Sequence, residues 1–504
     1  MVQKDQVYIA IDLGAGSGRV NAGVVKPNGE LSLVVIHRFD TVSVEQEGHY
    51  YWDIKTIYQS ILQGLEVAAS KYQSAIRSIG VDAWGVDYAF LDASGELLGN
   101  PFQYRDPRTQ GIPEKLFQKI SKEVIFQQTG IQFMDFNTLY QLHAETRNQD
   151  SLIRRANRLL LIPDLIGYWL TGVMYAERTI ASTTQFLNPI TKNWAQPLLY
   201  GAGIPEKLLP KIIEPATIVG KIQKELQVSL HFPAAQVIAV GGHDTASAVA
   251  GVSSPSSGRV FLSSGTWSLM GIECSQPIIN PESLQAGFSN EVGIEKTIRF
   301  LKNICGLWLI QQCKAEWDKE NPLEFATMVR WAQAAKAVSI DSVIDPDNPI
   351  FALPGNMPNK IRNYCQKTGQ TIPESKGSVL AVIFQSLAAK YRIVFDQLSH
   401  FSPVAINHFH IVGGGCKNEY LCQCTANVLE MTVKAGPTEA SSLGNIITQM
   451  LARQEVDNLD QGRKWIANNF SVKTYLPDGN QKWRVLVNKL RVLLQEENEC
   501  KFKF

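Results

Sequence analysis

VYIAIDLGAGSGRVNAGVV, residues 7–25, reads as strand, turn and strand. An apolar run enters Asp12, Gly14, Gly16 and Gly18 follow, and alternation resumes through Val20, Ala22 and Val24. Period-two patterning on both sides of a glycine turn predicts a β-hairpin, with Asp12, Ser17 and Arg19 at its tip. Glycines open backbone conformations closed to other residues and let amide N–H groups crowd an anion such as a phosphate. A dinucleotide fingerprint is excluded, because Arg19 stands where its third glycine belongs and a strand, not a helix, follows. A Walker A loop is excluded as well: the only Gly-Lys pair, Gly220-Lys221, precedes Ile222 rather than Ser or Thr. Two readings remain, a phosphate-binding hairpin and an ordinary glycine-rich one.

Outward from the hairpin, bulk properties narrow the class. The 504 residues are 45% hydrophobic and 19% charged, an ordinary globular composition with chain enough for two large domains. A net charge of +1 gives no electrostatic footprint for nucleic acid or an anionic membrane. The first residues, MVQKDQVYIA, lead into the strand without a signal-peptide core. The nearest approach to a membrane span, Leu159–Met174, is broken by Pro163 and Asp164. Eight cysteines form no Cys-x-x-Cys pair and are too sparse for a disulfide scaffold. Cys422 and Cys424, inside a helical stretch, read as one core and one surface thiol. The expectation is a reduced, cytoplasmic protein without nucleic-acid or membrane partners.

The first half alternates strands and helices. Ile54, Ile57, Ile61, Leu65 and Ala68 recur at helical spacing behind Asp53, which predicts an N-capped amphipathic helix over 53–72. A strand pair is expected at 79–81 and 88–91, interrupted by DAWGVD, and 110–215 reads as mostly helical. The run 237–240 feeds Gly241-Gly242-His243-Asp244 and a small-residue helix. SSPSSG (253–258) is the clearest linker. Directly after it, Val260–Leu262, Ser263-Ser264-Gly265-Thr266 and Trp267–Gly271 repeat the strand, turn and strand pattern. Strand 408–412, Gly413-Gly414-Gly415, a helix, strand 432–435 and helix 439–451 close the second half. Three regions follow: an N-terminal domain over 1–252, a C-terminal domain over 259–455, and a polar extension over 456–504.

Phosphoryl transfer needs phosphate oxygens held, charge neutralised and a base aligned with the attacking hydroxyl. Asp244 is the candidate base, at a junction where a strand ends and a helix begins. The same position would also suit a helix N-cap. His243 and Thr245 flank it, as sugar ligands or as structural residues. Asp12 is the candidate Mg²⁺ ligand, or an Asp that bonds its own turn. Trp84-Gly85 breaks a β-like run where a ligand could approach, or where a bulge lies. Gly413-Gly414-Gly415 permits close backbone approach ahead of a helix.

In their order along the chain these segments resemble the FGGY carbohydrate kinases. The resemblance runs to about residue 453 and is carried by AIDLGAGSGR (10–19), IGVDAWGVDY (79–88), YRDPRT (104–109), FNTLYQL (136–142), PDLIGYWLTG (163–172), ASTTQ (181–185), GGHDTASAV (241–249), FLSSGTWSLMG (261–271), NICGLW (303–308), IVGGGCKNEYL (411–421) and AGPTEASSLGN (435–445). It implies an α/β fold of two actin-like (ribonuclease H-like) ATPase domains flanking a central cleft, and an ATP- and Mg²⁺-dependent kinase. By motif, Asp244 would accept the proton, and Gly85, His243, Asp244, Thr245 and Asn303 would contact sugar. Ala15, Gly16, Ser17, Gly18, Arg19, Thr266, Gln311 and Gly414 would contact ATP, and Asp12 the metal. FNTLYQL, GGHDTASAV and SSGTWSLMG point to the branch acting on the 1-hydroxyl of L-rhamnulose, in L-rhamnose breakdown. The alternatives are another ketose, L-fuculose or xylulose, and a non-catalytic sugar- or ATP-binding regulator on the same fold. Two departures stand out: Gly16 replaces a usual Ser in the phosphate turn, and Ala83 a usual Thr.

Overall fold

The computed structural model describes residues 5–336 and 341–501. Contacts divide the chain into two compact units. Unit 1 comprises 1–255, 273–301 and 439–471; unit 2 comprises 256–272, 302–438 and 472–504.

Unit 1 is built on a six-stranded sheet. Its strands are β1 (Gln6–Leu13), β2 (Gly18–Val25), β3 (Leu31–Phe39), β4 (Ile76–Ala83), β5 (Thr217–Lys221) and β6 (Gln236–Ala239), in the order β5-β6-β4-β1-β2-β3. The opening hairpin is β1 against β2, antiparallel, with Asp12 opposite Arg19. β4 lies parallel to both β1 and β6, so three neighbouring strands end at one edge. Alternation along β1 sorts its faces. Val7, Ile9, Ile11 and Leu13 pack with Ile54, Ile57, Ile61 and Leu65 of the helix Ile54–Tyr72. Tyr8 and Ala10 pack on the other face, with Leu443, Ile446 and Ile447 of the helix Ala440–Ala452. Each fully buried aliphatic side chain contributes roughly 1.5–3 kcal/mol, so the sequence pattern fixes which face each helix covers. Asp53 caps the first helix by accepting from the Thr56 amide at 3.2 Å, as the sequence predicts.

The expected strand pair at 79–91 is corrected. Tyr88–Leu91 leaves the main sheet and pairs antiparallel with Arg158–Leu161, because the turn at 84–87 redirects the chain. Unit 2 opens with a second hairpin, β7 (Arg259–Ser264) against β8 (Trp267–Cys274). β7 then pairs parallel with the strand His408–Val412, which pairs parallel with Val433–Ala435. Each unit therefore has a hairpin whose first strand lies parallel to a later one. The helix Lys376–Phe401 is long and apolar enough to cross a membrane, a feature that the sequence reading overlooked. Most of it is buried in the protein, and it carries a buried Lys390 bonded to Asp345 and Asp347. Cys424 is buried like Cys422, which corrects the expected surface thiol; none of the seven described cysteines forms a disulfide, and all are buried.

Candidate active site

The parallel edge of unit 1 gathers carboxylates. Asp12 and Asp82 are register partners at the ends of β1 and β4, and the Ala83 amide bonds the Gly242 carbonyl at 2.8 Å, which ties on the turn after β6. That turn delivers His243 and then Asp244, the first residue of the helix Asp244–Ala250. His243, not Asp244, occupies the N-cap position, and it makes no side-chain cap. Carboxyl ends of parallel strands are where open α/β sheets bind ligands.

Burial pushes the Asp12 carboxyl up to about 6; Arg19 opposes this, and the Asp244 charge adds to it. Asp82 is held well above the usual carboxylate range by burial and by Asp12. Asp244 is raised too, by burial, with His243 pulling the other way. Like charges that cannot all ionise comfortably in a dry site attract a cation or share protons. Asp82 Oδ2 accepts from Asn445 at 2.6 Å, while its buried Oδ1 has no partner. Asp12 Oδ2 accepts from Ser442 at 3.1 Å and lies 3.8 Å from the Arg19 guanidinium. Arg19 also bonds Glu439 at 2.5 Å. Among the described residues no three ligating side chains converge into a closed metal site.

The glycine turn differs in detail from its expected use. None of Gly14, Gly16 and Gly18 takes a positive φ. Gly18 is required because a Cβ would meet the Phe39 ring at 2.3 Å, whereas a Cβ on Gly16 would meet nothing. The turn closes with the Gly14 amide on the Ser17 carbonyl at 3.0 Å, and leaves Gly16 exposed at its tip.

The second corner of unit 1 surrounds Gly85. The next residue, Val86, takes φ 68°, a left-handed conformation that a β-branched residue rarely adopts. Threonines hold it on both sides: its amide donates to Thr183 Oγ1 at 3.1 Å, and its carbonyl accepts from Thr138 Oγ1 at 2.6 Å. Strain persists where surroundings over-determine it, most often at ligand sites. Asp87 then accepts from Trp52 Nε1 (2.7 Å), Trp84 Nε1 (3.0 Å), the Tyr104 amide (3.1 Å) and Gln141 Nε2 (3.1 Å). The motifs FNTLYQL and ASTTQ thus meet on the backbone around Gly85.

In unit 2, the β7–β8 turn supports the start of the helix Trp308–Trp317. The Trp308 amide donates to the Thr266 carbonyl at 3.2 Å, and Gln311 Nε2 to Thr266 Oγ1 at 3.2 Å. Gly413, at φ 82°, and Gly415 press against Ser264, while open space lies beside Gly414. Thr266 and Gln311 are therefore brought together, and Asn303 lies on the strand Ile298–Cys305.

Several polar groups at these corners escaped the sequence reading. Asp82 had a signal in hindsight, a carboxylate closing a strand just as Asp12 does. Ser442 and Asn445 sit within a helix that reads as apolar. Glu291 and Arg299, which contact His243, had none.

Comparisons with known proteins agree with this architecture. The model of the FGGY family of carbohydrate kinases, N-terminal domain, matches residues 7–251, and that of the C-terminal domain matches 260–453. The chain is 42% identical over 478 residues to a rhamnulokinase of Bacteroides thetaiotaomicron, covering 95% of this chain and 97% of that protein. It is 39% identical to a rhamnulokinase of Bacillus subtilis, covering 94% and 95%. Among solved structures, a ligand-bound xylulose kinase from Lactobacillus acidophilus superposes with TM-score 0.78 at 18% identity, over 98% of both chains. A Plasmodium falciparum glycerol kinase with ADP gives 0.77 at 14% identity, over 98% of each chain. The fold is the two-domain, actin-like fold of these kinases, and the chain belongs to the FGGY family of carbohydrate kinases.

Proposed function

We propose that this kinase transfers the γ-phosphoryl group of ATP to the 1-hydroxyl of L-rhamnulose, giving L-rhamnulose 1-phosphate and ADP in the cytoplasm. The substrate rests on relatives named rhamnulokinase at 36–42% identity over nearly the whole chain. The chemistry rests on one observation: a half-buried carboxyl of raised pKa, Asp244, opening a helix at the edge where Asp12 and Asp82 also end.

Asp244 takes the proton of the sugar's 1-hydroxyl as that oxygen attacks the γ-phosphorus, and the bond to the leaving ADP oxygen breaks. A raised pKa moves the base toward the working pH. Gly85, His243 and Thr245, with Asn303, orient the sugar. Ala15 to Arg19, Thr266, Gln311 and Gly414 hold the nucleotide through backbone amides, hydroxyl and amide groups. The donor set at Asp12 fits Mg²⁺, since its carboxylate, with Asp82 beside it, offers hard oxygens to a cation that otherwise keeps waters and phosphate oxygens. Bound there, Mg²⁺ would neutralise phosphate charge.

ADP release with MgATP, measured across L-rhamnulose, L-fuculose, D-xylulose and glycerol, tests the reading. Clear preference for L-rhamnulose supports it; better turnover of another sugar replaces the substrate, and no sugar-dependent release removes the reaction. Asp244→Asn lowers kcat at least about 100-fold with sugar affinity kept. Activity within a few-fold of wild type would show that Asp244 is not the base.

A further inference from the structure

We propose that Glu291, braced by Arg299, is a positioning residue that keeps a proton on Nδ1 of His243, so that Nε2 faces the sugar beside Asp244 as a hydrogen-bond acceptor. The inference rests on the sugar-site reading for its consequence, though not for its geometry. All the groups belong to unit 1. Glu291 lies on the strand Ser289–Val292 and Arg299 on the strand Ile298–Cys305, directly opposite each other in an antiparallel pair. Glu291 Oε2 lies 2.9 Å from His243 Nδ1 and 2.9 Å from the Arg299 guanidinium. Arg299 is fully buried.

Which proton His243 carries follows from counting donors. One nitrogen of Arg299, Nη2, lies 3.3 Å from Nδ1 and would donate to it if Nδ1 carried a lone pair. That nitrogen has two protons for three neighbours, Glu291 Oε2 at 2.9 Å, the Val292 carbonyl at 3.1 Å and Nδ1 at 3.3 Å, of which Nδ1 is the farthest. The carboxylate contact at 2.9 Å is the shorter and charge-assisted one. It requires an N–H on Nδ1. Burial alone would raise the Glu291 carboxyl, but its hydrogen bonds to His243 and the buried Arg299 guanidinium outweigh it and hold it below the usual range. A buried carboxylate on one imidazole nitrogen fixes the tautomer and ring orientation presented by the other.

The ring's other nitrogen, Nε2, lies on the side of Asp244. The His243 amide donates to Thr179 Oγ1 at 3.2 Å, and the preceding Gly242 amide to Glu177 Oε2 at 2.9 Å, which fixes the backbone. Nε2 points at Asp244 Oδ1, 3.5 Å away. In the neutral ring, a lone pair and a carboxylate there face each other without a proton between them. A sugar hydroxyl supplies one. It donates to Nε2 while Asp244 deals with the reacting hydroxyl. His243 thus selects a sugar with a hydroxyl donor next to the one phosphorylated, and Glu291 makes it an acceptor.

Glu291→Leu tests this, because leucine removes the one oxygen that Nδ1 and Arg299 share and leaves the Arg299 guanidinium, a donor, against Nδ1. The neutral ring then carries its proton on Nε2 and repels the hydroxyl donor. Expected outcomes are a rise of at least about tenfold in the sugar KM with the ATP KM unchanged, and partial rescue by Glu291→Asp. The independent readout is the ring ¹⁵N spectrum of histidine-labelled protein, with His243 assigned by its loss in His243→Gln. Wild type shows Nδ1–H at a pH where the ring is neutral, and Glu291→Leu shows Nε2–H. A wild-type Nε2–H tautomer would overturn the inference even if the kinase reaction stands, and even if Glu291→Leu fails to fold. Equal losses for sugar and ATP with an unchanged tautomer would also overturn it. Absence of sugar-dependent ADP release from wild type would instead remove the kinase reading and leave the tautomer assignment intact.

Discussion

At the residue scale, Asp87 shows how a buried charge organises a site without touching the reaction. Two indole N–H groups, a backbone amide and a carboxamide converge on its carboxylate, so removing it strands the two indoles and the Tyr104 amide, while Gln141 keeps the Phe136 carbonyl. Each unsatisfied buried donor costs about 1–3 kcal/mol, and Asp87→Ala should therefore cost at least about 3 kcal/mol in denaturant unfolding. It should also weaken sugar binding, because Trp84 and Gly85 lose their anchor. Burial pushes the Asp87 carboxyl up to about 6 despite those donors. The folded protein then holds this proton at pH values where the unfolded chain, at its ordinary 3.8, has lost it. Stability from this group consequently falls as pH rises from about 4 to about 6 and levels off above, by roughly 2–3 kcal/mol in all. Asp87→Asn should flatten that part of the stability–pH curve; an unchanged slope would refute the assignment.

At the element scale, the helix Ala440–Ala452 holds the base of the site. Ser442, Asn445 and Gln449 lie on one face and reach Asp12, Asp82 and Ser78. The helix can sit this close only because of two glycines. A Cβ on Gly444 would stand 1.8 Å from the Ser247 carbonyl oxygen, and one on Gly251 would stand 2.1 Å from the Ala440 carbonyl oxygen. Both obstacles are backbone and cannot swing aside. Gly444→Ala should cost about 3 kcal/mol of stability and depress kcat together, since the displaced helix is the one that begins with Asp244. A thermal midpoint and kcat equal to wild type would show that the two helices slide freely. Little of this was legible in the sequence, where small residues at helical spacing read equally as an ordinary core helix.

At the scale of the whole molecule, the unliganded protein carries a cost for its function. Asp244 raises the Asp12 carboxyl, and Asp12 and Asp244 both raise Asp82. Asp12→Asn should make the ligand-free protein about 1 kcal/mol more stable in denaturant unfolding, since it removes one buried like charge. The same variant should lose the extra thermal stabilisation that MgATP gives over ATP with a chelator, because ligand binding stabilises only through what the folded protein holds. If MgATP still outperforms chelated ATP in Asp12→Asn, the metal is held elsewhere.

The sequence by itself determined the elements whose signal is local. Period-two alternation around Gly14–Gly18 specified the opening hairpin, the Ser263–Thr266 repeat specified the second, and Asp53 marked its helix start. It also placed Asp244 at a strand–helix junction, because both flanks are short and strongly patterned. Only the tertiary structure decided what crosses the chain. It paired Asp12 with Asp82, separated Tyr88–Leu91 from the main sheet, and buried Cys424 and the membrane-length helix Lys376–Phe401. It also set Glu291 and Arg299 against His243 across 48 and 56 residues of sequence separation. The physical reason is range: propensity and periodicity act over one or two turns of chain, whereas a buried carboxylate is stabilised or destabilised by whatever the fold brings beside it.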